Sequence, residues 1–170
     1  MNGETIFRAC IAVALLTVAT SVFAQDRTGK AFLQEAIEGN YAEVQMGQLA
    51  QQKGQSDGVK SFGQMLVTDH TDANNKALSV AKDVGLNPPN GPNKKEQSNY
   101  DRLSKLSGAA FDRRFVKDMV MDHRNDIREY QRASKTKDSI GQYASDSLPT
   151  LRKHLRTAQS LESGHGVSSR

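Results

Sequence analysis

The chain has 170 residues, with 23 Lys and Arg against 19 Asp and Glu, a formal net charge of +4. An apolar content of 36% and a charged content of 25% exclude a bundle of membrane spans and a disordered tail, and a single cysteine excludes a disulfide framework. At this length one domain with one core is the expectation.

Residues 9–24 (ACIAVALLTVATSVFA) carry no charge, follow Arg8 and end in Val22-Phe23-Ala24, a spacing that a signal peptidase reads. Residues 1–24 are therefore expected to be an export signal cleaved after Ala24, which places the mature chain in the periplasm. The other reading is an uncleaved N-terminal membrane anchor. Cys10 opens the apolar run and does not follow it, so it does not suit a lipid anchor.

Four strong helical segments follow, within a domain spanning 25–163. The first runs from about Gly29 to Lys53. The turn Gly54-Gln55-Ser56-Asp57-Gly58 leads to a second, which ends at Gly85 before Pro88 and Pro89. Residues 86–93 (LNPPNGPN) break the chain, and Lys94–Lys105 is a weak, polar helical piece. The third strong helix covers about Gly108–Ser134 and the fourth runs from Asp138 to about Ser163, with Pro149 expected to bend it. Residues 164–170, with His165, are expected to be a loose tail. No stretch alternates with the period of a strand.

Each strong helix has a stripe spaced by threes and fours. The first gives Phe32, Ala36, Gly39, Glu43, Met46 and Ala50. The second gives Val59, Phe62, Leu66, His70, Ala77 and Val80. The third gives Phe115, Met119, His123, Ile127 and Tyr130; the fourth gives Ile140, Ala144, Leu151, His154 and Ala158. Such stripes are the seams of an all-α, antiparallel up-down four-helix bundle. Each seam carries one ionisable residue: Glu43, His70, His123 and His154. With up-down-up-down order, and the first and last interhelical turns at one end, these stand roughly 17, 20, 18 and 24 Å from that end at 1.5 Å per residue.

Three imidazoles and a carboxylate at one depth need partners, because each unpaired buried polar group costs roughly 1–3 kcal/mol. One transition metal ion (zinc, iron, copper or manganese) would satisfy all four. The competing arrangement is a metal-free polar layer in which Glu43 pairs with one protonated histidine and the others bond to backbone, tyrosine or water. Phe62 and Phe115 each precede a histidine by eight residues, and Asp69-His70 matches Asp122-His123. Asp69 and Asp122 point about 100° away from their own histidines and are expected to be solvated more often than supporting. Asp112 is expected to sit in the favourable field of its own helix N-terminus.

The segments AIEGNYAEVQMGQLA, VKSFGQMLVTDH, LSGAAFDRRFVKDMVMDH and SLPTLRKHLRTAQSL resemble the exported bacterial family known as domain of unknown function 4142. The resemblance covers roughly Phe32 to Leu161 and implies a ferritin-like four-helix bundle without an established reaction. Di-iron bundles of that kind use Glu-x-x-His pairs. Val67, Val120 and Leu151 occupy the glutamate positions here, so a mononuclear site is the better expectation.

There is no nucleophile elbow, no phosphate loop and no cysteine nucleophile in the mature chain. Arg113, Arg114, Lys117, Arg124, Arg128, Arg132, Arg152, Lys153 and Arg156 fall on outward positions without interleaved aromatics. Nucleic acid is therefore not expected as a partner, whereas an anionic membrane surface suits such a basic face. Three functions stay open: a metal-binding protein, a metal-dependent oxidoreductase, and a metal-free envelope or stress-related interaction module.

Overall fold

The computed structural model describes residues 28–164 in full and the backbone of residues 4–27. The export signal read at 1–24 and the tail with His165 lie outside the fully described residues. Among the described residues there are five helices and no strand: α1 (Glu4–Lys53), α2 (Asp57–Asp83), α3 (Lys94–Ser104), α4 (Gly108–Ala133) and α5 (Ser139–Glu162). Among them, too, no helix is long and apolar enough to cross a membrane.

The helix starts follow from capping. Ser56 Oγ accepts from Val59 N at 3.3 Å, Asn93 Oδ1 from Glu96 N at 3.0 Å and Asp138 Oδ1 from Gly141 N at 2.8 Å. Asp112 does more than sit in the field of its own helix. Its carboxylate crosses to the α1–α2 turn and accepts from Gln55 N at 2.8 Å and Ser56 N at 2.9 Å. At the far end of α2, Gly85 takes φ +66°, and Leu86 N closes back onto Ala81 O at 2.8 Å. α5 continues through the exposed Pro149.

The long helices pack α1 on α2, α4 on α5, α2 on α5 and α1 on α4. Their interior divides into two apolar clusters. One joins Met46, Leu49, Phe62, Leu66, Leu103, Phe111, Phe115 and Ala158. The other joins Leu33, Ile37, Ala77, Ala81, Tyr130, Ile140, Tyr143 and Leu148. These memberships fix the chain directions. Both α2 and α4 start in the first cluster and end in the second, whereas α1 and α5 run the other way.

The up-down-up-down order expected from the sequence is therefore corrected. α2 and α4 are parallel, and the α1–α2 and α4–α5 turns lie at opposite ends. The connection at residues 84–107 is long enough to run back along the molecule, with α3 packed on α1 and α4. A short loop would have forced the alternating order; this segment does not.

α1 and α2 approach each other closely at two glycines. A Cβ added to Gly47 would stand 2.5 Å from Gly63 O, and one added to Gly63 would stand 2.6 Å from Gly47 O. Neither position tolerates a side chain without separating the helices. Glycine inside a helix is unfavourable by about 1 kcal/mol, which the gain in backbone packing offsets here. The buried face of α1 is wider than the expected stripe: Ala36, Glu43, Met46 and Ala50 are buried as expected, Leu33, Ile37 and Asn40 are buried beside them, and Phe32 and Gly39 are half-buried.

Candidate metal centre

His70, His123 and His154 meet between the two clusters, and one ring nitrogen from each lies within 4.8 Å of the others. Their exposures are 4%, 0% and 0%. They meet although two turns lie at opposite ends, because each sits close to mid-helix. The ring centroids of His70 are 5.9 Å from His123 and 5.2 Å from His154. Phe62 and Phe115, the residues eight positions before two of these histidines, touch edge to face at 5.9 Å and floor the layer, with Phe62 also 6.2 Å from the ring of His154.

The hydrogen bonds around the rings decide where their protons are. His123 Nδ1 faces the Met119 carbonyl at 3.0 Å, and a carbonyl only accepts, so Nδ1 carries the hydrogen and Nε2 a lone pair. His154 Nε2 lies 2.8 Å from Asp69 Oδ2 and donates to it, which leaves Nδ1 as the lone pair. His70 Nδ1 donates to Asn40 Oδ1 at 3.0 Å, and the Asn40 amide in turn donates to the Tyr143 hydroxyl at 3.1 Å. His70 Nε2 has no hydrogen-bond partner among the described residues.

Three lone pairs thus converge without a proton between them. His123 Nε2 and His154 Nδ1 face each other at 3.2 Å, and both are acceptors. Two nitrogens on one tetrahedral ion with bonds near 2.0–2.1 Å stand about 3.3 Å apart, so this pair is already at ligand spacing. His70 needs a small inward movement. Holding the outer ring nitrogen on a carboxylate, amide or carbonyl is the arrangement that orients metal-bound histidines and raises their basicity.

Electrostatics point the same way. Burial pushes His123 down to about 3, with His154 adding to the shift against the Met119 hydrogen bond. Burial, then the neighbouring imidazoles, holds His70 well below the usual range. His154 is also lowered by burial, although Asp69 opposes this. Burial raises Asp69, but hydrogen bonds from His154 and Lys153 outweigh it and hold the carboxyl below its ordinary value. All three rings are neutral at pH 7, the form that binds a metal.

Glu43 stands at the edge of this group. It is 7% exposed, and its Oε1 lies 3.9 Å from His123 Nδ1. That distance is too long for a hydrogen bond. Burial, reinforced by Asp126, Asp122 and Glu96, raises the Glu43 carboxyl well above its usual range. With His123 driven neutral as well, the two do not form an ion pair. Glu43 Oε2 has no hydrogen-bond partner among the described residues.

Sequence reasoning misses Asn40, which lies beside the expected stripe of α1. Asp69, expected to be solvated more often than supporting, does support: it points away from His70, as expected, but toward His154 on the neighbouring helix. Asp122, its sequence counterpart, makes no such bond.

Residues 17–161 match the family described as "Domain of unknown function (DUF4142)", and the chain belongs to that family. No curated protein and no solved structure matches it.

Proposed function

We propose that this family member is an exported, periplasmic protein that binds one transition metal ion in the core of a ferritin-like four-helix bundle. The parallel α2 and α4, joined by one long crossover, are the feature that ferritin-like bundles have and simple up-down bundles lack. They support that assignment of the fold.

The convergence of three imidazole lone pairs carries the proposal. The ligands are His70 Nε2, His123 Nε2 and His154 Nδ1. Glu43 is assigned as the fourth because its buried Oε2 is unpartnered, although its carboxylate lies outside the close histidine group and nearest the outer nitrogen of His123. Three neutral imidazoles leave a divalent charge uncompensated. Ionised Glu43, together with Asp69 behind His154, supplies two negative charges and makes the layer neutral. Imidazole and carboxylate suit zinc, iron, copper or manganese, and a bound ion of this kind polarises a water or an oxygen-containing substrate. This chain's own part is to hold the three rings in one tautomer and to keep water from the phenylalanine side.

Metal content tests the proposal. Untagged mature protein, purified without chelator, is expected to contain about one equivalent of a single transition metal by inductively coupled plasma mass spectrometry. His123→Ala should lose it. No stoichiometric metal, even after reconstitution with zinc, iron, copper and manganese, would leave the residues as a polar layer and turn attention to protein partners.

A further inference from the structure

The histidine layer has unlike surroundings on its two flanks. One flank is a cleft of about 580 Å³ bounded by α1, α4 and the start of α3, running from the exposed Gln34 and Glu35 down to Glu43 and His70. Its lining holds seven Asp or Glu side chains and one cation, Lys95. Lys95 is taken by Glu96 at 3.7 Å, and Glu38 is held by Asn93 at 3.1 Å. Asp122 and Asp126 stand one turn apart on α4, half-buried, with no hydrogen-bond or ion-pair partner among the described residues.

Acidic side chains alone do not make a site. Here two buried polar atoms at the bottom of the same cleft also lack partners: Glu43 Oε2 and His70 Nε2. An unpaired carboxylate pair at the mouth, an unpaired carboxylate oxygen at the throat and an unpaired imidazole nitrogen at the end form a graded series of donors. They pass from hard oxygen to borderline nitrogen, the order in which a hydrated divalent ion is captured and then stripped of water.

We infer that this cleft is the vestibule through which a divalent transition cation reaches the three histidines. Asp122 and Asp126 capture the hydrated ion and Glu43 transfers it to His70. The inference rests on the metal-binding reading above and makes the centre exchangeable, not permanently sealed. The second flank is a smaller cleft of about 400 Å³ that also reaches His70. There Asp69 is committed to His154 and Lys153, Asp146 accepts from Gln142, and Lys76 adds a positive charge. Asp72 also lines that side but is exposed, and among the described residues no unpartnered buried carboxylate oxygen stands there to pass a cation on to His70.

Stopped-flow uptake of Co²⁺ by metal-free protein tests this. At low ionic strength Asp122→Asn/Asp126→Asn should slow association on the order of 10-fold, a deficit that fades as salt rises toward a Debye length of about 8 Å. A merely structural defect would not be screened by salt. Asp72→Asn/Asp146→Asn on the other flank should leave the rate unchanged, and Lys95→Glu should raise it. Co²⁺ uptake by the wild type at a rate indifferent to Asp122, Asp126 and Lys95, or slowed instead by the Asp72/Asp146 pair, would overturn the vestibule alone. No Co²⁺ uptake by the wild type would overturn the histidine site, and the vestibule with it.

Discussion

The two halves of the core differ in kind. Below the histidine layer, Phe115 stacks on Phe111 at 5.6 Å and meets Phe62 edge to face at 5.9 Å, among Leu and Met side chains that need no polar partner. Above it, alanines and aliphatic side chains surround Tyr130 and Tyr143, whose hydroxyls lie 3.4 Å apart and connect through Asn40 to His70. The first half supplies cohesion and seals one face of the layer. The second spends its interior on holding side chains in fixed orientations and leaves room for clefts. A helical bundle can thus be stable and still keep a reactive layer, provided the two tasks fall to opposite ends.

If that division holds, mutations should separate stability from metal binding. The largest effect is expected from Phe111→Ala, a fully buried ring stacked on Phe115 and without a ring contact to the histidines among the described residues. Its loss should cost about 3–5 kcal/mol in denaturant unfolding, while the folded fraction still takes up one metal equivalent. A proportional loss of metal affinity would break the comparison.

Next is Asp69→Asn. It retains shape but weakens the acceptor behind His154, and should reduce metal affinity about 10- to 100-fold in a chelator competition. Unfolding of the metal-free protein should change much less, because Asp69 is only half-buried.

The smallest effect concerns Asp126. Burial, with Asp122, Glu129 and Glu96, raises its carboxyl from 3.8 to about 7. The folded state therefore binds the extra proton between these values, so this group's contribution to stability falls as pH rises from about 4 through 7. Asp126→Asn should raise stability at pH 8 by about 1 kcal/mol, a figure discounted for partial solvent screening, and change little at pH 5. Melting curves at the two pH values sharpen the comparison, since the cleft alone should show this dependence.

Much of this was legible in the sequence, for a specific reason. His70, His123 and His154 interrupt apolar stripes of helical period, and a stripe must face the core whichever way its helix runs. That is why the histidine layer holds although the assumed order of helix directions does not. Residue spacing along one helix says nothing about whether the next connection returns along the bundle, so the parallel α2 and α4 were not predictable from the stripes. Asp69 illustrates a related limit. Its angle on α2 excludes His70 as a partner but leaves His154 on α5 within reach. Asn40 was obscured because α1 buries two adjacent stripes, one through Ala36, Glu43, Met46 and Ala50 and one through Leu33, Ile37 and Asn40, and only the first was read. The acidic cleft joins α1, α3 and α4 and has no local signature at all.

The histidine layer is arranged for three neutral imidazoles to share one ion. Anomalous diffraction at the absorption edge of the bound metal, from crystals grown without chelator, tests it most directly. The expected result is one strong peak about 2.0–2.1 Å from His70 Nε2, His123 Nε2 and His154 Nδ1. A histidine layer without such a peak, or a peak confined to carboxylates of the cleft, would contradict the account.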